Sequence, residues 1–247
     1  MNQLLEMEFV DDGYLKVIYY LQDGLSFINN SKKVFRLMQT HQLLYWSKQI
    51  KIGIKQWVTK LVAEPTVAFS YWEFDIRFMY IPGTGKMILL LTVTDVYSRW
   101  LLGHLLQESI KKEDVKLFFI LITETYMHPD KVHVRCDNGS QFKSTLVRDY
   151  LLSAGIEQEF TKPATPEQNA HIESYYSLLE RVVCNCYEFK TKDCFNTLNR
   201  WRRFCNYERI YFATDYKSPH KNLINQGIDV DQLFRQVNER QKIVLWG

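Results

Sequence analysis

Residues 72–78, with the sequence Trp-Glu-Phe-Asp-Ile-Arg-Phe, alternate strictly between apolar and charged side chains. Because neighbouring side chains of a β-strand point to opposite faces of a sheet, this period of two predicts a strand. The apolar side chains are expected to face the core, and Asp75 is expected to lie on the opposite, polar face. Because it places a carboxylate on the polar face of a strand, Asp75 is a candidate functional residue.

Further strands and helices follow this strand in an order that specifies the sheet. Residues 87–93 are almost entirely apolar and predict a buried second strand, after the turn-forming segment 82–85. The remaining patterns predict strands at 100–106, 132–137 and 156–160 and helices at 111–127, 143–154 and from 167 onward. Three meandering strands followed by alternating helices and strands predict an α/β fold, with a mixed five-stranded sheet and helices on both faces. The ribonuclease H-like fold has this order.

The segment before the sheet predicts a small helical module. Residues 12–24 have the apolar spacing of a short amphipathic helix, and Asn30-Ser31 predicts the cap of a second helix at 32–40. Two short helices, the second of them basic at its start, suggest a helix-turn-helix. The predicted domains are a helix-turn-helix DNA-binding module at 1–50, a basic linker at 51–68, a catalytic core at 69–228 and a C-terminal tail at 229–247.

Positive charge is concentrated in two segments, although the net charge of the whole chain is only +3. Residues 31–60 contain seven basic residues and no acidic one, and residues 181–210 contain seven basic residues and three acidic ones. This distribution fits a polyanionic partner, although charge alone is equally consistent with two solvated faces. The candidate DNA contacts in the first segment are Lys32, Lys33, Arg36, Lys48, Lys51 and Lys55.

Three carboxylates stand out by their predicted positions. Asp75 lies within the first strand, Asp137 lies at the carboxyl end of the fourth strand, and Glu173 lies on the helix after the Pro-rich loop. Sites in open α/β sheets gather outside the strand ends. Divalent cations such as Mg²⁺ prefer oxygen ligands, and two ions about 4 Å apart promote phosphoryl transfer. Each acid alone would be an ordinary surface charge, but together with the element order they predict a metal site.

Neighbouring charged residues leave alternatives open. Asp95, at the end of the second strand, competes with Asp75 as a metal ligand, but its position favours a turn residue that caps local amides. Glu73 and Arg77 share the face of Asp75, and they either pair with each other or tune its charge.

The three acids lie in short motifs with a specific spacing. Between Asp137 and Glu173 there are 35 residues, since 173 − 137 = 36. The motifs are Trp72-Glu73-Phe74-Asp75-Ile76, Thr94-Asp95-Val96-Tyr97-Ser98-Arg99, Asp137-Asn138-Gly139-Ser140-Gln141-Phe142, Asn169-Ala170-His171-Ile172-Glu173-Ser174-Tyr175-Tyr176 and, more weakly, Asn206-Tyr207-Glu208-Arg209 with Ser218-Pro219. This set resembles insertion-sequence transposases with a retroviral integrase-like core, specifically the orfB type of the IS-three group, in which the D,D-35-E spacing is characteristic.

The resemblance implies DNA cleavage and joining by a polynucleotidyl transferase. Asp75, Asp137 and Glu173 would hold Mg²⁺ or Mn²⁺, with two ions expected. One phosphodiester is cleaved at the end of a mobile element, and the freed 3′-hydroxyl then attacks a second phosphodiester, without a covalent protein intermediate. Residues that flank the acids would position DNA or orient ligands, although a plain surface role for the histidine is equally consistent: Asn138, Gln141, Asn169 and His171.

The implied partners are the terminal inverted repeats of an element, target DNA and further copies of the chain in a homo-oligomer. An upstream DNA-binding segment added by translational frameshifting is also expected. The start of the chain does not resemble a signal peptide, and its apolar runs are too short to span a bilayer, so a cytoplasmic, nucleoid-associated protein is expected. Five irregularly spaced cysteines predict buried helix thiols rather than disulfides or a zinc site.

Two other functions are consistent with parts of the pattern. A DNA-binding relic of a transposase would have lost catalysis, which the intact set of acids argues against. A ribonuclease H-type nuclease would hydrolyse DNA or RNA without joining it, which the helix-turn-helix and the 35-residue spacing argue against.

Overall fold

The chain forms two compact units, residues 1–55 and residues 56–247. The structure is a computed structural model that describes residues 9, 13–26, 30–44, 63–81, 85–126, 129–162, 165–184 and 191–231. Lys48, Lys51 and Lys55 lie outside the described residues, as do most of the predicted linker and most of the predicted tail.

The first unit contains two helices, α1 (Tyr14–Leu25) and α2 (Ser31–Thr40). The side chain of Asn30 accepts a hydrogen bond from the backbone N–H of Lys32 at 2.9 Å, which confirms the predicted cap. An apolar cluster joins the two helices and consists of Val17, Ile18, Leu21, Val34 and Met38. Both helices were predicted from their apolar spacing, to within two residues at each end.

A five-stranded sheet in the order β3-β2-β1-β4-β5 organises the second unit. Its strands are β1 (Tyr71–Ile81), β2 (Lys86–Asp95), β3 (Leu101–Gln107), β4 (Val132–Cys136) and β5 (Ile156–Phe160). The first three strands pair in antiparallel fashion, whereas β4 is parallel to both β1 and β5. The predicted mixed sheet is therefore confirmed, with the strand that contains Asp75 at its centre.

Helices cover both faces of this sheet. They are α3 (Lys112–Thr125), α4 (Thr145–Ser153), α5 (Ala170–Leu179), α6 (Thr191–Tyr207) and α7 (Pro219–Asn225). On one face, Trp72 and Phe74 of β1 enter a core with Phe119 of α3 and Val147 of α4. The opposite face of β1 and β2 contacts α5, and α6 contacts β3.

Some boundaries differ from the predictions for local reasons. The helix predicted at 143–154 begins at Thr145, because the hydroxyl of Ser144 accepts from the N–H of Val147 and caps it. The helix predicted from 167 is preceded by a short 3₁₀ turn at Pro166–Asn169. The π-helical segment Glu180–Cys184 continues it.

The described cysteines form no disulfide, and Cys136, Cys194 and Cys205 are buried. Within the described ranges, no helix is both long enough and apolar enough to cross a membrane.

Candidate active site

Asp75 lies within β1, and its backbone carbonyl accepts a hydrogen bond from the hydroxyl of Tyr176 on α5. Burial, and to a smaller extent the carboxylates of Asp137 and Glu173, raise the pKa of its carboxyl to about 7. A hydrogen bond from the backbone of Ile76 and the charge of Arg77 act in the opposite direction. The three predicted acids therefore share one electrostatic environment, although they come from three separate elements.

Asp137 directly follows β4 and is exposed to solvent. In the parallel ladder Glu73 lies opposite Arg135, so extending both strands by two residues places Asp75 opposite Asp137. Adjacent strands are about 4.8 Å apart, which brings these two acids together. The Oδ1 atom of Asp137 accepts the N–H of Gly139 at 2.9 Å, and a Cβ at Gly139 would lie only 3.1 Å from that oxygen. Glycine at this position thus leaves room for the carboxylate.

Glu173 lies on α5, and this helix, together with the residue before it, is attached to three consecutive residues of β1. The backbone N–H groups of His171 and Ile172 donate to the carboxylate of Glu73. The side-chain amide of Asn169 donates to the carbonyl of Phe74. The hydroxyl of Tyr176 donates to the carbonyl of Asp75. Residues three apart lie on the same side of a helix, so Glu173 lies on the side from which Tyr176 reaches β1.

The charged residues on the polar face of β1 have partners on the helical segment that packs over it. Glu73 is fully buried and bonds to α5, while Arg77 forms an ion pair with Glu180. The predicted pairing of Glu73 with Arg77 is therefore wrong, because each has a partner on the segment 170–184 that packs over the strand. The alternative, that Arg77 tunes the charge of Asp75, agrees with its lowering of the pKa of Asp75.

Asp95 is a structural residue of the turn after β2, as predicted. Its carboxylate is fully buried and accepts hydrogen bonds from the N–H of Phe69 at 3.0 Å and from the N–H of Ser98 at 2.8 Å. The hydroxyl of Ser98 also donates to it. Burial raises the pKa of Asp95 to about 6, and these hydrogen bonds act against that rise.

The four candidate DNA contacts beside the acids differ in solvent exposure. Asn138 is exposed and donates to the carbonyl of Thr161 at 2.6 Å, and Gln141 is partly exposed. Asn169 is buried, and its side-chain oxygen has no hydrogen-bond partner. The side chain of His171 is 16% exposed, and its Nδ1 lies 2.8 Å from Glu73, so the interpretation as a plain surface residue is wrong.

The basic residues of α2 are accessible. Lys32, Lys33 and Arg36 are all exposed on this helix, while Val34 and Met38 face α1. Their side chains are therefore available to a polyanion.

Carboxylate oxygens are suitable donors for a hard divalent cation. The raised pKa of Asp75 reflects burial first, and then like charges that a cation would neutralise. Within the described part of the chain, no three His, Cys, Asp or Glu side chains are yet gathered closely enough to hold an ion. The donor chemistry fits a metal, and a shift of side chains would be needed to complete the cluster.

Two important residues were missed or undervalued in the sequence. Glu73 was treated as a neighbour of Asp75, yet its carboxylate anchors the start of α5. Tyr176 is 1% exposed and packs in the core, and its hydroxyl also tethers α5 to β1. The only signal for Glu73 was a charged residue in a strand whose flanks are apolar.

Comparison with known proteins agrees with this architecture. Residues 65–166 match the integrase core domain family, rve. The chain is 24% identical over 205 residues to the transposase for insertion sequence element IS904 of Lactococcus lactis subsp. lactis strain IL1403, covering 78% of this chain and 79% of the relative. It is 23% identical over 191 residues to an uncharacterized 31.7 kDa protein of insertion element IS407 from Burkholderia multivorans strain ATCC 17616 / 249, covering 77% and 68% respectively.

A solved structure supports the fold independently. A chain of the simian T-cell lymphotropic virus intasome, determined by cryo-electron microscopy in complex with the PP2A regulatory subunit B56 gamma, aligns with a TM-score of 0.50. The alignment covers 81% of this chain and 70% of the other at 13% identity. This likeness agrees with the predicted ribonuclease H-like fold.

Proposed function

The chain contains an integrase core domain and is similar to insertion-sequence transposases, and from this premise we propose that it cuts and joins DNA ends with Asp75, Asp137 and Glu173 as its catalytic acids. In this proposal the three acids hold two divalent cations, Mg²⁺ or Mn²⁺. Bound cations would supply the Lewis acidity that phosphodiester cleavage and joining require.

One observation carries the proposal: acids from β1, from the end of β4 and from α5 act on one another. Asp137 and Glu173 both raise the pKa of Asp75, although they lie 62 and 98 positions after it in the sequence (137 − 75 and 173 − 75). A fold that collects like charges stores an unfavourable interaction. A bound cation would relieve this repulsion, which supports the proposal of a cation site here.

The residues around the acids support a division of roles. Asp137 is exposed at the end of β4, so it is accessible to a phosphodiester, whereas Asp75 is partly buried between β4 and α5. Exposed Asn138 is placed to contact the DNA strand that the acids cleave. Buried Asn169 and partly exposed His171 instead hold the start of α5 on the sheet, and they orient Glu173.

A cleft of about 470 Å³ beside His171 supports a place for the DNA backbone. Arg99 and Lys217 both line it, and guanidinium and ammonium groups are the usual partners of phosphate oxygens. Exposed Lys32, Lys33 and Arg36 on α2 would supply further contacts to the terminal inverted repeats, together with Lys48, Lys51 and Lys55.

The proposed reaction also implies an assembly. An element has two ends, and each end must be cut and joined, so at least two copies of the chain are expected to act together on DNA. An additional DNA-binding segment encoded in an upstream overlapping frame remains part of this proposal, as does a nucleoid-associated location.

The test is a strand-transfer assay on DNA that carries the element end, identified by sequencing the inverted repeats that flank the gene. Purified protein is incubated with labelled end DNA, target DNA and Mn²⁺, and the products are separated on a denaturing gel. Both a shortened strand with a free 3′-hydroxyl and a longer joined product are expected.

Three results are distinguishable in this assay. Cleaved and joined products support the transposase. Cleavage without joining would identify a nuclease of the ribonuclease H type, and DNA binding without either product would identify a relic. Either of the latter two results overturns the proposal.

A further inference from the structure

The carboxylate of Glu73 is buried at the centre of the sheet. The residue is 0% exposed and lies on β1, between Thr94 of β2 and Arg135 of β4. A buried carboxylate is costly unless its oxygens accept hydrogen bonds. Its position two residues before Asp75 places both side chains on the same face of the strand.

The start of α5 supplies the hydrogen bonds that Glu73 requires. One carboxylate oxygen lies 3.0 Å from the backbone N–H groups of both His171 and Ile172, and the other lies 2.8 Å from Nδ1 of His171. The first N–H groups of a helix have no acceptor within the helix. A negative charge is also favourable at this end, because the helix dipole is positive there. Glu73 therefore caps α5 from the neighbouring strand.

This cap determines where α5 begins relative to β1. Glu173 directly follows Ile172, so the last residue held by the cap adjoins the third candidate acid. One turn later, the hydroxyl of Tyr176 lies 2.6 Å from the carbonyl of Asp75. Without the cap, α5 would keep its later tether but lose the attachment nearest to Glu173.

We propose that Glu73 is a positioning residue, which holds the first turn of α5 so that the carboxylate of Glu173 meets those of Asp75 and Asp137 around a divalent cation. This inference rests on the proposed function. Glu73 acts through Glu173 and does not itself touch the cation or DNA.

Substitutions of Glu73 separate positioning from direct participation. In Glu73→Gln, the amide oxygen still accepts both backbone N–H groups, and the amide nitrogen donates to Nδ1 of His171 in its other tautomer. In Glu73→Met, the side chain fits a buried site but offers no strong acceptor. Glu73→Asp keeps the charge but shortens the side chain by one methylene, and it serves as a second disruptive variant if the methionine protein does not fold.

The experiment measures Mn²⁺ binding by electron paramagnetic resonance on each protein bound to element-end DNA. Glu108→Met is the control, because this residue is exposed and pairs with Lys86 outside the candidate site. The half-saturating Mn²⁺ concentration should rise about tenfold or more in Glu73→Met and Glu73→Asp. It should stay close to that of the wild type in Glu73→Gln and in the control.

Hydrogen exchange of the metal-free proteins provides a second readout that does not depend on activity. The amides of His171 and Ile172 should exchange faster in Glu73→Met than in the wild type, while the amides of β4 should be unchanged. Faster exchange joined to weaker Mn²⁺ binding is the expected result.

Other outcomes overturn the inference in distinct ways. Wild-type Mn²⁺ binding by both disruptive variants would show that the cap does not position Glu173. Binding as weak in Glu73→Gln as in Glu73→Met would show that the negative charge itself is required, as for a direct ligand. If the wild-type protein neither binds Mn²⁺ nor cleaves DNA, the proposed function itself fails and the positioning role fails with it.

Discussion

The hydroxyl of Tyr176 lies 2.6 Å from the backbone carbonyl oxygen of Asp75, and it thereby joins the helix of one candidate acid to the strand of another. The same hydroxyl lies 3.0 Å from the carbonyl of Leu90 on β2. Because the tyrosine ring is 1% exposed, these contacts are shielded from water. The tether fixes α5 to both β1 and β2.

Tyr176→Phe should lower the free energy of unfolding by about 1 kcal/mol, since one buried hydrogen bond is lost while the ring remains. Urea denaturation measures this change. Tyr80→Phe is the control, because Tyr80 lies on the same strand as Asp75 but is 60% exposed. Equal stability of the two variants would show that the Tyr176 hydroxyl contributes nothing to docking.

Asp137→Asn should abolish DNA cleavage while leaving DNA binding nearly unchanged. The asparagine oxygen can still accept the N–H of Gly139, so the loop is kept while a negatively charged candidate ligand is lost. Cleavage and filter-binding assays on the same DNA measure the two effects. Asp130→Asn, before β4, is the matched control, and cleavage by Asp137→Asn near the wild-type rate would remove Asp137 from the site.

Metal-free Asp75→Asn should become more stable than the wild type as the pH rises. The pKa of Asp75 in the folded state is about 7, above the ordinary value of 3.8. Between pH 3.8 and pH 7, the folded state therefore holds a proton that the unfolded state has released. Stability contributed by this proton is complete below about pH 4 and is lost as pH rises through 7. The asparagine side chain of the variant does not titrate, so it adds no such pH dependence to the stability.

Thermal melts from pH 4 to pH 9 of both proteins measure this difference. The raised pKa of Asp95 contributes to each protein, so it cancels in the comparison. A difference that is independent of pH would contradict the raised pKa of Asp75, which burial causes in the first place.

Glu173→Gln should reduce the stabilisation of the protein by Mn²⁺. A cation that binds the folded state alone adds about 2.7 kcal/mol at a hundredfold excess over its dissociation constant. Losing one ligand weakens this binding, whereas relief of like-charge repulsion leaves metal-free stability equal or higher. Thermal melts with and without Mn²⁺ at constant ionic strength, repeated with DNA bound, measure the shift.

Asp95→Asn is the control for the metal experiment. It should cost roughly 1–3 kcal/mol, because the buried carboxylate accepts three hydrogen bonds that an amide cannot all replace. Its Mn²⁺-induced shift should nevertheless match that of the wild type. If Asp95→Asn loses the shift and Glu173→Gln keeps it, the metal ligands have been assigned wrongly.

Neutralising the basic residues of α2 should weaken the salt dependence of DNA binding. Each phosphate contact that is lost removes about 0.9 from the slope of log affinity against log salt concentration. The triple variant Lys32→Gln, Lys33→Gln, Arg36→Gln is compared with Lys86→Gln, whose ammonium pairs with Glu108. The same measurement on Lys48, Lys51 and Lys55 tests the other half of the basic segment, and an unchanged slope would place these side chains in solvent alone.

Local sequence patterns determined the element order and the candidate acids. The period-two alternation around Asp75, the apolar run of β2 and the turn-forming residues between elements are properties of neighbouring residues. They were sufficient to predict the five strands and the helices between them in their observed order along the chain. The spacing of Asp137 and Glu173 was equally visible, because it belongs to one continuous segment.

Tertiary structure alone decided what each polar side chain on β1 does. Glu73 and Arg77 share one face of a strand, and nothing local distinguishes a mutual pair from separate partners. The packing of α5 and the segment after it supplied Glu73 with backbone N–H donors and Arg77 with Glu180. These partners lie about 100 residues away in sequence. Hydrogen bonds and charge interactions depend on distances in space, and these exist only once the helix has docked on the sheet.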